Sequence, residues 1–200
     1  NGAECEPYCT ADNRTMVEDS DHIKSGIEIL KRFVGAKEYI IGIEANKPEA
    51  ISHLTEVFKD DPSVIVKTLE SVYPQGAKQV LLWNATGKVV AAGQRLASLG
   101  VIITNVTTLA KMALYFETGM PLIEKCVSVD GSAVKEPKNI IVPIGTSFEY
   151  CLEACGGFKE EPRKVIEGGP MMGRTVPDLN ESVVKATNGI VAMGELVIVT

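Results

Sequence analysis

The chain has 200 residues, 45% of them hydrophobic and 23% charged, with a formal net charge of −6. That length suits one large domain or two small ones, and the balance is that of a chain able to bury a core, which excludes a disordered protein. The acidic balance argues against a nucleic-acid binder, and no run of 18 apolar residues is present to cross a membrane as a helix.

Asp21–Val34 reads as an amphipathic helix, because Ile23, Ile27, Leu30 and Val34 recur at helical spacing and Gly35 stands where a C-cap belongs. Tyr39–Ile43 is an apolar run of strand length. Asn46-Lys47-Pro48 opens a second helix with Ile51, Leu54 and Phe58 on one face. Ser63–Thr68 alternates as a strand, and Gly76–Trp83 is expected to be a short helix. Val101–Thr104 has the composition of a buried strand, and Asn105 suits the N-cap of a helix ending at Gly119. This alternation predicts an α/β layer with parallel strands over residues 1–120.

The pattern then changes. Leu122–Val129 and Ser132–Val134 flank Asp130-Gly131, a dipeptide suited to a hairpin turn, and Asn139–Pro143 is a further strand. Thr146 with Glu149 reads as a capping box for a helix that should stop at Gly156-Gly157, after which Lys164–Glu167 returns as a strand. This order predicts a β-grasp module over 121–175, followed by a tail of strands over 176–200 that packs back. Asn1 stands where a translated chain carries methionine, and Leu196–Thr200 is an apolar run without a turn signal, so both ends are expected to be cut.

The five cysteines form no regular framework, which points to reduced thiols and a cytoplasmic setting. Cys151 and Cys155 share a helix face and are expected to be plain buried thiols. No CxxCxxC ligand run, Walker loop, HExxH or GxGxxG is present, and His22 and His53 lie in no nucleophile motif. Four segments remain. In Asn1-Gly2-Ala3-Glu4-Cys5-Glu6-Pro7-Tyr8, the amide suits a flavin ring edge and the carboxylates suit ribose hydroxyls; the same residues also make an ordinary polar loop. In Tyr73-Pro74-Gln75-Gly76-Ala77-Lys78-Gln79, backbone amides at a helix start could hold an anion beside Lys78, with Tyr73 stacking on a ring, or the segment is a turn fixed by Pro74 and Gly76. Asn105-Val106-Thr107-Thr108 follows a strand where α/β sheets place ligands, or is simply a good cap. Gly168-Gly169-Pro170-Met171-Met172-Gly173 allows sharp bends, with the methionines as packing filler.

Taken in order, NGAECEPY, YPQGAKQ, NVTTL, SVDGSAVKEP and GGPMMG resemble the RnfC family over nearly the whole chain. RnfC proteins are subunits of membrane-bound complexes that exchange electrons between ferredoxin and NAD. The layout is also similar to the flavin-bearing subunit of respiratory complex I, to cobalamin reductases, and to RnfC-like proteins that serve amino-acid reductases such as proline reductase. The resemblance implies a Rossmann-like α/β domain of the complex I flavin-subunit type, followed by a soluble-ligand-binding β-grasp (SLBB) domain. It places Asn1, Glu4 and Glu6 in a flavin and dinucleotide loop, Tyr73, Gly76 and Lys78 in a second ligand loop, and Asn105 and Thr108 beside the flavin. No side chain is expected to be an acid, base or nucleophile. For the full-length protein it implies FMN, NAD(H) and 4Fe-4S clusters, the clusters lying outside this chain.

The family's glycine-rich flavin-phosphate loop and its two cysteine clusters are expected outside residues 1–200. The Tyr73 loop reads as one residue shorter than the family's, with Ala77 and Lys78 where complex I relatives carry acidic residues. The implied function is electron transfer between NAD(H) or another donor, FMN and iron–sulfur centres, this portion alone being inactive. The alternatives are a non-catalytic docking module for redox partners or a corrinoid reductase relative. The implied partners are other redox-complex subunits, a reductase or ferredoxin, with no nucleic acid and no membrane insertion, at a cytoplasmic location or on the cytoplasmic membrane face.

Overall fold

A computed structural model describes residues 1–194; the expected strand Leu196–Thr200 lies outside the described residues. The chain divides into two compact units, Asn1–Cys5 with Asp12–Gly119, and Glu6–Ala11 with Met120 onwards.

The first unit begins with helices α1 (Ala11–Glu18) and α2 (Ser20–Phe33), then alternates β1 (Tyr39–Glu44), α3 (Pro48–Val57), β2 (Val64–Leu69), α4 (Lys78–Thr86) and α5 (Val106–Thr118). β1 and β2 pair in parallel from Tyr39↔Val64 to Glu44↔Leu69, with α3 as the crossover. Apolar spacing sets the core: Ile23 and Ile27 of α2, Ile41 and Ile43 of β1, Leu54 of α3 and Leu109 of α5 pack into one cluster. Pro48 starts α3 at a position where a missing N–H does no harm. Asn105 caps α5 with its side chain, and the left-handed Gly119 ends it.

Two elements differ from the pattern. α1 was not anticipated, because Met16 is its sole fully buried large side chain and one such residue makes no stripe. Val101–Thr104, expected as a strand, is not one among the described residues, and Ile102 is 70% exposed. Its sequence suits a strand, but the backbone rung at its end goes to Asn1: the Asn1 amine donates to the Thr104 carbonyl (2.7 Å), and Val106 N donates to the Asn1 carbonyl (3.0 Å).

The second unit is a five-stranded mixed sheet built from β3 (Glu124–Asp130), β4 (Lys138–Pro143), β5 (Lys164–Glu167), β6 (Arg174–Thr175) and β7 (Gly189–Met193), in the order β4-β3-β7-β5-β6. β7 runs parallel to β3 and antiparallel to β5, so the centre of the sheet comes from the stretch expected as a tail of strands. Helix α6 (Phe148–Ala154) covers one face with Phe148, Cys151 and Leu152, which join Val127, Val129 and Ile190 in the core. Cys151 and Cys155 are both fully buried, and burial pushes the Cys151 thiol up to about 11.

Here, too, two local readings change. β3 pairs with β4, and Ser132–Val134 is not its partner. Gly131 is needed less for a tight turn than for space: at φ +115 a side chain there would meet the backbone of Ala192 on β7. The cap of α6 is Ser147, whose Oγ accepts from Tyr150 N (3.2 Å), whereas Thr146 donates its hydroxyl to the Pro143 carbonyl.

Candidate functional site

In the first unit, three loops meet at the C-terminal ends of the parallel strands, where open α/β sheets present polar groups. The opening loop is anchored by backbone pairing. Asn1 bonds to Thr104 and Val106 on one side, and Gly2 N donates to the Gly42 carbonyl of β1 (2.9 Å) on the other. The Asn1 side chain then reaches the second loop, its Nδ2 donating to the Gly76 carbonyl (3.4 Å) while its Oδ1 accepts from Ala3 N (3.2 Å). Gly76 eases this approach, since a Cβ there would lie 3.1 Å from the Ala3 carbonyl oxygen and crowd that backbone, with Cys5 Sγ at 3.5 Å. Tyr73 stands 40% exposed on the same loop, which ends at Lys78, an exposed residue that opens α4.

The third loop is tied in through an aspartate that was not foreseen. Asn105 Oδ1 accepts from Thr108 N (3.1 Å) as the cap of α5, and its Nδ2 donates to Asp12 Oδ2 (2.7 Å). Thr107 Oγ1 donates to the other oxygen of Asp12 (2.6 Å). Asp12 sits in the first turn of α1, whose free amides are taken by Glu4: Asp12 N donates to Oε1 (2.9 Å) and Asn13 N to Oε2 (3.2 Å). Glu4 N donates in turn to the carboxylate of Glu44, which ends β1 and is almost fully buried (3.0 Å).

Three carboxylates, Glu4, Asp12 and Glu44, thus lie along one chain of hydrogen bonds. Burial, with the nearby Asp12 charge adding to it, raises the Glu4 carboxyl to about 7, against the lowering effect of the two α1 amides. Burial likewise raises Glu44, opposed by its bond from Glu4 N and by Lys47. The arrangement can hold a proton near neutral pH beside an amide-lined surface.

Asn1, Glu4, Gly76 and Asn105 are joined by these bonds, with Tyr73 and Lys78 on the second loop and Thr108 at the α5 cap. Glu6 is placed elsewhere. It belongs to the second unit, where its Oε2 accepts from Met171 N (3.0 Å) and its Cβ would meet any side chain at Gly169. The GGPMMG turn therefore closes around a carboxylate. Sequence reasoning missed Asp12 and Glu44, and it took in Thr107 only as part of the Asn105–Thr108 segment. The usable signals were an acidic residue in a first helical turn and a carboxylate ending an apolar strand.

Known proteins share this organisation. The model of the Nuo51 FMN-binding domain matches residues 1–114, and that of the SLBB domain matches residues 126–175. The RnfC protein of the proton-translocating ferredoxin:NAD(+) oxidoreductase complex of Clostridium ljungdahlii is 43% identical over 96% of this chain and 42% of its own length. Its counterpart in the Na(+)-translocating complex of Acetobacterium woodii is 40% identical over 96% of this chain and 44% of its own length. The counterpart in the ion-translocating oxidoreductase complex of Rhodobacter capsulatus is 39% identical over 96% and 37%. The chain therefore spans about two fifths of the length of these relatives. A crystal structure of an NAD+-reducing [NiFe]-hydrogenase in the air-oxidized state covers 94% of the chain and 38% of its own chain at a TM-score of 0.76 and 15% identity, which shows a shared fold. The chain thus belongs to the family of Nuo51 FMN-binding domains, joins that domain to an SLBB domain, and is similar throughout to the RnfC proteins of ion-translocating oxidoreductases.

Proposed function

We propose that this chain forms the flavin- and dinucleotide-binding part of an RnfC-like electron-transfer protein. In the whole protein, electrons pass between NAD(H), FMN and iron–sulfur centres held outside residues 1–200. The observation that carries the reading is the bonded meeting of Asn1, Glu4, Gly76 and Asn105 within the span matched by the FMN-binding family.

The residues fit such a group. A Cβ at Gly76 would crowd the Ala3 carbonyl, Gln75 Nε2 is buried without a partner in the second loop, and Asn1 has a second amide hydrogen beyond its long bond to Gly76. FMN, when bound, supplies the exchange between two-electron and one-electron steps. This chain's residues bind and orient. Asn1 and Asn105 offer amides to a ring edge or phosphate, and Tyr73 offers a face for stacking. Lys78, at the start of α4, draws the negative charge of a dinucleotide. Glu4 holds or releases a proton near neutral pH, and Asp12 and Glu44 fix its position.

Thr108 supports the α5 cap. Glu6 acts by holding the GGPMMG turn, a role separate from the other seven residues. Partners are other members of a redox complex or a soluble electron carrier. No helix among the described residues is long and apolar enough to cross a membrane. The similarity to subunits of ion-translocating complexes supports a cytoplasmic location or one on the cytoplasmic membrane face.

The test is an FMN titration of the full-length protein beside this chain, with Asn1→Ala, Glu4→Ala and Asn105→Ala variants of the full-length form. Loss of flavin affinity in the variants supports the assignment. Unchanged affinity in all three removes it.

A further inference from the structure

The formal charge of the chain is −6, yet no aspartate or glutamate stands between Glu70 and Glu117. The cations of that stretch are Lys78, Lys88, Arg95 and Lys111. Lys78, Lys88 and Arg95 are exposed, and among the described residues they form no ion pair. Elsewhere in the first unit Arg14, Lys31 and Lys59 bridge to Glu18, Asp61 and Glu56.

The fold gathers this charge at the outer side of α4. Leu81 and Leu82 are buried, whereas Gln79, Trp83 and Thr86 recur at helical spacing on the exposed face. Trp83 is the one tryptophan of the chain and is 55% exposed. Lys67 reaches the same end of the helix from β2, its Nζ donating to the Ala85 carbonyl (2.9 Å). The left-handed Gly87 closes the helix by donating to the Trp83 carbonyl (2.7 Å), and Lys88 N donates to Thr86 Oγ1 (3.2 Å). Lys88 and the exposed Val89 thus follow directly on the turn that carries Trp83. The loop that bears Arg95 comes back to this end, since Lys88 and Gly100 line one hollow with Ala85 and Thr86. Lys37 and Glu38 line it too, and their charges cancel.

We infer that the outer face of α4, with Lys88, Val89 and Arg95, docks an acidic protein, a small electron carrier whose carboxylates surround an apolar centre. An aromatic anchor among cations is the composition of an interface centre, where the ring is desolvated while the cations meet carboxylates. A dinucleotide is too small to account for the whole patch. The nine residues of α4 rise about 13 Å, so Lys78 at its start and Lys88 beyond its end cannot both meet the adjacent phosphates of one molecule. The acidic balance of the rest of the chain repels an acidic partner and leaves this face to orient it. The choice of an electron carrier rests on the electron-transfer reading above; α4 begins at the second loop of the proposed site.

The experiment titrates the full-length protein with oxidised ferredoxin, as the acidic probe, at low and at physiological salt. Three variants are compared: Trp83→Ala, the pair Lys88→Glu with Arg95→Glu, and Lys24→Glu as an exposed control on α2. The expected result is about tenfold weaker binding for Trp83→Ala and for the reversed pair, and none of this loss for Lys24→Glu. The reversed pair should also lose most of the salt dependence. FMN content and NADH-driven dye reduction are followed in the same samples and should not change. A wild-type protein that takes up no FMN removes the functional reading, while ferredoxin binding still decides the docking face. Absence of ferredoxin binding by the wild type, or equal affinity in all variants, overturns the inference. A fall in NAD(H) affinity in the reversed pair also overturns it, because the cations then belong to the dinucleotide. Equal ferredoxin affinity with lost binding to phosphatidylglycerol vesicles overturns it as well and gives the face to a membrane.

Discussion

The two units use burial in opposite ways. In the second unit, the sites deepest between α6 and the sheet are taken by Phe148, Cys151, Leu152 and Ile190, groups that lose nothing by leaving water. In the first, the ends of the strands bury Glu44 and draw Glu4 into a network of amides and carboxylates. Desolvating a carboxylate opposes folding unless bonds offset it. The face under α6 is thus filled with apolar groups, while the strand ends of the first unit keep groups whose protonation can change.

The largest way to sharpen this contrast is to empty each core. Phe148→Ala should destabilise the second unit by about 3–5 kcal/mol, and Leu54→Ala should destabilise the first by about 2–5 kcal/mol. Site-resolved hydrogen exchange checks this, because each loss should be concentrated in amides of the unit that carries the substitution. A uniform loss across both units would show that they unfold as one.

The carboxylate network gives the next effect, and its sign is distinctive. Glu4 has a folded value of about 7 against an ordinary 4.5, so the folded state holds a proton that the unfolded chain releases between those pH values. Its contribution is fully present below about pH 4.5 and is lost as pH rises to 7, by up to roughly 3 kcal/mol. Glu44, also raised, adds in the same direction. Glu4→Gln should flatten the fall in stability over that window, measured by urea unfolding at several pH values. An unchanged slope would show that Glu4 keeps an ordinary carboxyl in the fold.

Most of the first unit was legible because its helices carry stripes and its caps are local. Pro48, Asn105 and Gly119 act within one turn of where they stand, so their meaning survives without tertiary knowledge. Val101–Thr104 was misread because a strand is defined by its neighbour, and sequence shows composition without partners. Gly131 was misread for a related reason: its constraint comes from Ala192, 61 residues away. The site was half legible. Asn1, Gly76 and Asn105 carried a family resemblance, but Asp12, which bonds to Asn105 and Thr107, lies on a helix with no apolar stripe. Glu6 was grouped with Glu4 through the family resemblance of NGAECEPY, and the chain carries the two carboxylates into different units.

The smallest effect is the one that best separates structure from function. Asn105 and Ser147 are both N-caps, one in each unit, and each accepts from the backbone amide three residues on. Asn105→Ala and Ser147→Ala should therefore cost about 1 kcal/mol of stability apiece. Only Asn105 also donates to Asp12, the residue beside the amides that Glu4 accepts from. Flavin titration of the full-length variants should accordingly show a loss of affinity for Asn105→Ala and none for Ser147→Ala at matched stability. If both variants bound flavin equally well, Asn105 would be a cap and nothing more, and its bond to Asp12 would serve only to hold α1 against α5.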